Sequence, residues 1–115
     1  MRKINLAPYV AETYGPDGKD AQMPVEPLPL LKAVLFSPQQ QLNGLDLYEQ
    51  AQLWGKLKAA AEAGQPALLE EPEYKRLDDS FNKIKGLGFA QVELVRRIKE
   101  APTVAVQERS EVRPA

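Results

Sequence analysis

The order of apolar and polar positions divides the chain into an extended N-terminal stretch and a helical remainder. Residues 3–14 carry the β-formers Ile4, Tyr9, Val10, Thr13 and Tyr14 and run into Gly15-Pro16-Asp17-Gly18. Proline presets φ at one turn position and glycine tolerates φ > 0, so the tetrapeptide predicts a hairpin closing onto residues 21–25. Pro8 and Pro24 lack a backbone donor, which confines both segments to sheet edges.

Helical spacing takes over from Pro29, which suits the first turn of a helix over residues 28–36 with apolar positions Leu30, Leu31, Val34 and Leu35. Ser37-Pro38 stops it, because the residue before a proline is pushed out of the α region, and Gln39-Gln40-Gln41 follows as a loop. A helix over residues 45–63 places Leu47, Ala51, Trp54 and Leu57 on one side and Glu49, Gln52, Lys56 and Lys58 largely on the other, and ends at Gly64-Gln65-Pro66. Ala67-Leu68-Leu69 is read as an apolar link.

Pro72, among Glu70, Glu71 and Glu73, opens a helix over residues 72–85 whose buried face is Tyr74, Leu77, Phe81 and Ile84. Gly86-Leu87-Gly88 leads tightly into a last helix, residues 89–100, with Phe89, Val92, Val95 and Ile98 at three-residue spacing and Leu94 beside them. Two helices joined this closely pack as a pair. Pro102 forbids continuation. Val104 and Val106 are expected to add an edge strand to the hairpin, and residues 105–115 to form a mobile tail. The pattern predicts a predominantly helical α+β fold: one domain over residues 1–104, with an N-terminal hairpin (residues 1–26) against three to four helices.

Composition narrows the chemistry. With 115 residues, 43% of them apolar and 27% charged, the chain can bury a core within one domain. It contains no cysteine and no histidine, which removes disulfides, thiolate nucleophiles, imidazole bases and nearly every transition-metal site. The absence of cysteine fits a reducing compartment, so the expected location is the cytoplasm. The basic start Met1-Arg2-Lys3 has no apolar stretch of signal-peptide length behind it. Residues 28–36, the longest mostly apolar stretch, fall far short of the roughly 20 residues that span a bilayer. A net charge of -1 gives no global field toward nucleic acid or anionic lipid.

Several local groups deserve weighing as sites. Glu70, Glu71, Glu73, Asp78 and Asp79 are read as a solvated helix start balanced by Lys75 and Arg76 rather than as a metal or acid–base site. Lys83, Lys85, Arg96, Arg97 and Lys99 form the strongest basic set, and the helices around Gly86-Leu87-Gly88 have the outline of a helix-turn-helix. A recognition helix, however, carries its polar reach at the N-terminal end, which here is Phe89-Ala90-Gln91. The same glycines lack the preceding strand and the Gly-Lys-Ser/Thr of a phosphate loop. Residues 23–36 hold more apolar bulk than a short helix buries on one face, so Met23, Leu28, Leu31 and Phe36 are either interface residues or parts of a central core helix. Tyr9, Tyr14 and Tyr48 are the aromatics expected at the surface, and Tyr9 and Tyr14 join that candidate protein-binding set. No catalytic residue, metal ligand or cofactor is assigned.

Met1-Arg2-Lys3-Ile4-Asn5-Leu6, Val34-Leu35-Phe36 with Leu42-Asn43-Gly44, Leu68-Leu69-Glu70-Glu71-Pro72-Glu73-Tyr74 and Val92-Glu93-Leu94-Val95-Arg96-Arg97-Ile98, ending at Glu100-Ala101-Pro102, together resemble small uncharacterised proteins of tailed-phage and prophage genomes. The resemblance implies a part in virion assembly or in manipulating a host factor, and it brings no catalytic residues. The expectation is a non-enzymatic protein–protein interaction module with a host or virion partner or a second copy of itself; the alternative is a small DNA-binding regulator using the basic set.

Overall fold

In the computed structural model, residues 1–14, 20–88 and 91–104 are described, with backbone alone at 12–14, 20 and 21. The chain is α+β. Strand β1 (Arg2–Ile4) is followed by the hairpin strands β2 (Tyr9–Tyr14) and β3 (Asp20–Val25), then helices α1 (Pro27–Leu35) and α2 (Gly44–Glu62), strand β4 (Ala67–Leu69), and helices α3 (Glu71–Lys83) and α4 (Val92–Lys99). The turn expected at Gly15-Pro16-Asp17-Gly18 and the residues from 105 onward, Val106 among them, lie outside the described residues, as does Phe89.

The extended stretch expected over residues 3–14 is broken in two. Asn5 Oδ1 accepts the Ala7 N–H at 2.9 Å, a local turn that competes with strand pairing, and Pro8 supplies no donor. The piece before the break, β1, pairs antiparallel with β4 (Arg2 opposite Leu69, Ile4 opposite Ala67), so the apolar link of the sequence reading is a strand. Ala67 and Leu69 point into the core and Leu68 outward. The piece after it, β2, pairs with β3 from Tyr9 opposite Val25 to Tyr14 opposite Asp20.

The C-terminal segment also pairs elsewhere than expected. Lys3 N–H donates to the Pro102 carbonyl at 3.0 Å and Val104 N–H to the Met1 carbonyl at 2.7 Å, which places residues 102–104 on the free edge of β1 rather than on the hairpin. β1 is thereby covered on both edges, which removes an aggregation-prone template.

The helices meet on one core: Leu31, Val34 and Leu35 from α1, Leu53 and Leu57 from α2, Leu77 and Phe81 from α3, Leu94 and Ile98 from α4, closed by Ile4, Leu6 and Leu69. Each such side chain stabilises the fold by roughly 1.5–3 kcal/mol through the apolar area it removes from water. The predicted pair α3 and α4 does pack together, tied by Tyr74, whose hydroxyl donates to the Ile98 carbonyl at 2.7 Å. However, α3 ends at Lys83 with Ile84 extended and α4 starts only at Val92, so the connection is longer than the tight Gly86-Leu87-Gly88 turn expected. On α4 the buried line is Leu94 and Ile98 rather than the three-residue series, and Val92 is exposed.

The largest departure concerns α2. Its buried residues are Gln50, Leu53 and Leu57; Trp54 is half-buried, and Leu47 and Ala51 face solvent. The helix is thus turned by about one residue from the face its apolar residues predict. The cause is polar. Gln50 Nε2 donates to the Leu35 carbonyl and to Ser80 Oγ, both at 3.0 Å, and Gln50 Oε1 accepts from Arg76 at 3.2 Å. Gln40 Nε2 adds donors to the Val34 and Ser80 carbonyls, each at 2.8 Å. These buried amides satisfy carbonyls at the end of α1 and in α3 and fix how α1, α2 and α3 are rotated against each other.

Candidate functional site

The basic set is placed first. Arg97 has only 11% of its side chain exposed. Its Nε pairs with Glu93 at 3.0 Å, its Nη1 donates to the Ala7 carbonyl at 2.6 Å and the Asn5 carbonyl at 3.2 Å, and its guanidinium lies 4.9 Å from the centre of the Tyr9 ring. It fastens the base of the hairpin to α4 and is not presented to a phosphate. Arg96 pairs with the same Glu93 at 2.6 Å, and Lys99 with Asp78 at 2.7 Å. Lys83 and Lys85 are exposed. Three of the five cations are therefore drawn into this chain's own ion pairs, which weakens the patch as a nucleic-acid surface.

Burial raises the Tyr9 phenol above its ordinary value, against the lowering by its hydrogen bond to the Leu94 backbone and by Arg97. A raised pKa means that the folded state holds the proton longer than the unfolded one. The stability this represents is complete below about pH 10 and is lost as the pH climbs through the folded value. Alkaline unfolding of the wild type should accordingly begin at lower pH than that of Tyr9→Phe. Tyrosinate absorbance and urea midpoints above pH 10 check this, and identical curves would contradict it.

The acids disperse into structural pairs. Glu73 accepts the Glu70 N–H at 2.9 Å, as a helix start requires, and pairs with Lys56 at 2.7 Å. Glu71 pairs with Arg2 at 3.0 Å, Asp79 with Lys75 at 2.9 Å, and Asp78 with Lys99. Among the described residues no group of three or more carboxylates is placed to hold a metal ion. A cleft of about 260 Å³ opens beside Gln40, Gln50, Ser80, Arg76 and Lys83. Its floor is the amide network, its Arg76 is taken by Glu49 and Gln50, and Lys75 and Asp79 on its rim neutralise each other.

Of the residues expected to bind protein, Met23 is exposed on β3. Tyr14 lies in β2 opposite Asp20, its side chain outside the described set. Tyr9 is half-buried beneath Arg97, and Leu28 and Phe36 pack against the core. Leu31 is fully buried and has nothing to present to a partner; for it the central-core alternative holds.

Among the described residues three exposed large apolar side chains share one element, the outward side of α2, whereas Val10, Met23, Leu68, Leu87 and Val92 are scattered singly over other segments. Leu45, Leu47 and Tyr48 are 65%, 50% and 63% exposed. Beyond Tyr48 the same face continues through Ala51, Gly55 and Ala59, at steps of three, four and four residues, all exposed. Charge enters only at its far end, with Lys58 and Glu62. Tyr48 was legible as a surface aromatic; the rest was masked because Leu47 and Ala51 fit a core stripe equally well. Among the described residues no helix is long and apolar enough to cross a membrane. Compared with known protein families, with curated proteins and with solved structures, the chain gives no significant match, which leaves the geometry of these surfaces as the guide to function.

Proposed function

We propose that the protein is a non-enzymatic protein-binding module that docks its partner on the outward face of α2. The observation that supports this reading is the exposure of Leu45, Leu47 and Tyr48 together on the first turn of a helix whose opposite face makes the core, with Leu45 and Leu47 flanking the outward line that Tyr48 begins. Side chains of this size gain roughly 1.5–3 kcal/mol each on leaving water, and here the fold does not collect it. A contiguous apolar face on a helix, rimmed by polar groups, is the helix-docking mode of protein recognition. The narrower form of the proposal, a cytoplasmic phage-encoded assembly factor or modulator of a host protein, rests on the sequence resemblance alone.

The test is capture of the tagged protein from its native cell, with Leu47→Ser/Tyr48→Ser alongside the wild type. Both side chains are exposed, so the variant should keep its unfolding free energy in urea within about 0.5 kcal/mol of the wild type. A stoichiometric protein species held by the wild type and lost by the variant is the predicted result. Equal retention by both would contradict the assignment of the face.

A further inference from the structure

We infer that the occupant of the α2 face is a second copy of the same chain, packed antiparallel about a twofold axis that falls between Ala51 and Gly55. The inference rests on the docking reading above and names its partner. A twofold interface must be self-complementary, with the protrusions of one copy entering the recesses of the other. The α2 face has both. Its first half projects Leu47 and Tyr48, and its second half is cut back to Gly55 and Ala59. With Ala51 opposite the partner's Gly55, Tyr48 meets the partner's Ala59, and Leu47 lies along the stem of the partner's Lys58.

Charge selects the direction. Lys58 and Glu62 occupy the C-terminal end of the face, while its N-terminal end is the start of α2, where Asn43 Oδ1 caps the Asp46 N–H at 2.8 Å. An antiparallel pair sets each Glu62 against the positive start of the other helix. A parallel pair would set Lys58 on Lys58, Glu62 on Glu62 and Tyr48 on Tyr48. Asp46, the acid of the first turn, lines the cleft on the opposite side. Gly55 fits the same picture. A Cβ there would meet nothing within 4 Å, so this chain's own packing does not require a glycine in mid-helix. A facing helix at close approach would give the missing Cβ a use. Two single helices bury an area at the low end of stable interfaces, so the dimer should be concentration-dependent.

The first readout is mass by sedimentation from low micromolar to millimolar protein, for the wild type and for Ala51→Glu. The wild type should pass from monomer to dimer. The exposed substitution should keep the circular dichroism and urea midpoint of the wild type and weaken association at least tenfold, because its two carboxylates meet near the axis. The second readout uses the absence of native cysteine. Under mild oxidation Ala51→Cys/Gly55→Cys should cross-link between chains. Leu45→Cys should not, since antiparallel packing holds its two copies about 24 Å apart along the helices. A chain that stays monomeric to millimolar concentration overturns the inference, as does cross-linking of Leu45→Cys in place of the double variant. A monomer that still holds a different protein through Tyr48 overturns the second-copy assignment while the docking reading stands; one that holds none removes both.

Discussion

Replacing Leu77 by alanine should destabilise the protein by about 3 kcal/mol, the largest single effect predicted here for a side chain far from the outward face of α2. Leu77 is fully buried on α3 in the cluster that joins Leu31 and Leu35 of α1, Leu57 of α2 and Leu94 and Ile98 of α4. Truncation removes the transfer free energy of the lost carbons and leaves a cavity that four helices cannot all collapse to fill. Urea denaturation reads the effect as a lower midpoint with an unchanged slope. A loss under about 1 kcal/mol would mean that the helices do not share one core around this position.

The second large effect is expected at Gln50, which is polar and only 1% exposed. Gln50→Leu keeps much of the volume but removes the donor to the Leu35 carbonyl and to Ser80 Oγ and the acceptor for Arg76. Leaving buried groups unpaired costs roughly 1–3 kcal/mol, more than the added apolar surface returns. The effect should be coupled to Ser80. In a double-mutant cycle with Ser80→Ala the two losses should sum to more than the double variant shows. Strict additivity would contradict the network.

Those two residues also mark where the sequence was and was not readable. Leu77 sits in a regular apolar series on α3, so periodicity placed it correctly, and the same logic located all four helices to within a few residues. Gln50 broke the method on α2. A buried glutamine holds the core position, apolar residues line the solvent side, and a rule that sends apolar side chains inward then selects the wrong face. Strand β4 and its pairing with β1 were missed for a different reason. Each strand has three residues, too few for an alternation to register, and the two lie far apart in the chain. For Arg97, the counting of charges identified a cation but not its engagement, because the carbonyls of Asn5 and Ala7 reach it only once the hairpin base has docked on α4.

The two sides of α2 differ in what they contact. The inner side of α2, with Gln50, Leu53 and Leu57, holds the bundle together. The outer side carries Leu45, Leu47 and Tyr48, which remain exposed among the described residues. The hairpin is a second exposed element, with Val10 and Met23 open to solvent, but its base is locked by Arg97 and its exposed apolar residues lie on different strands.

The most direct test of the proposed docking face is hydroxyl-radical footprinting of the wild-type protein, comparing dilute purified chain with the associated form, whether that is the concentrated chain or the complex captured from the cell. Protection of Leu45, Leu47 and Tyr48, with Val10 and Met23 labelled as before, is the predicted result. Unchanged labelling of α2 together with protection of the hairpin or of the Lys83 and Lys85 surface would contradict it.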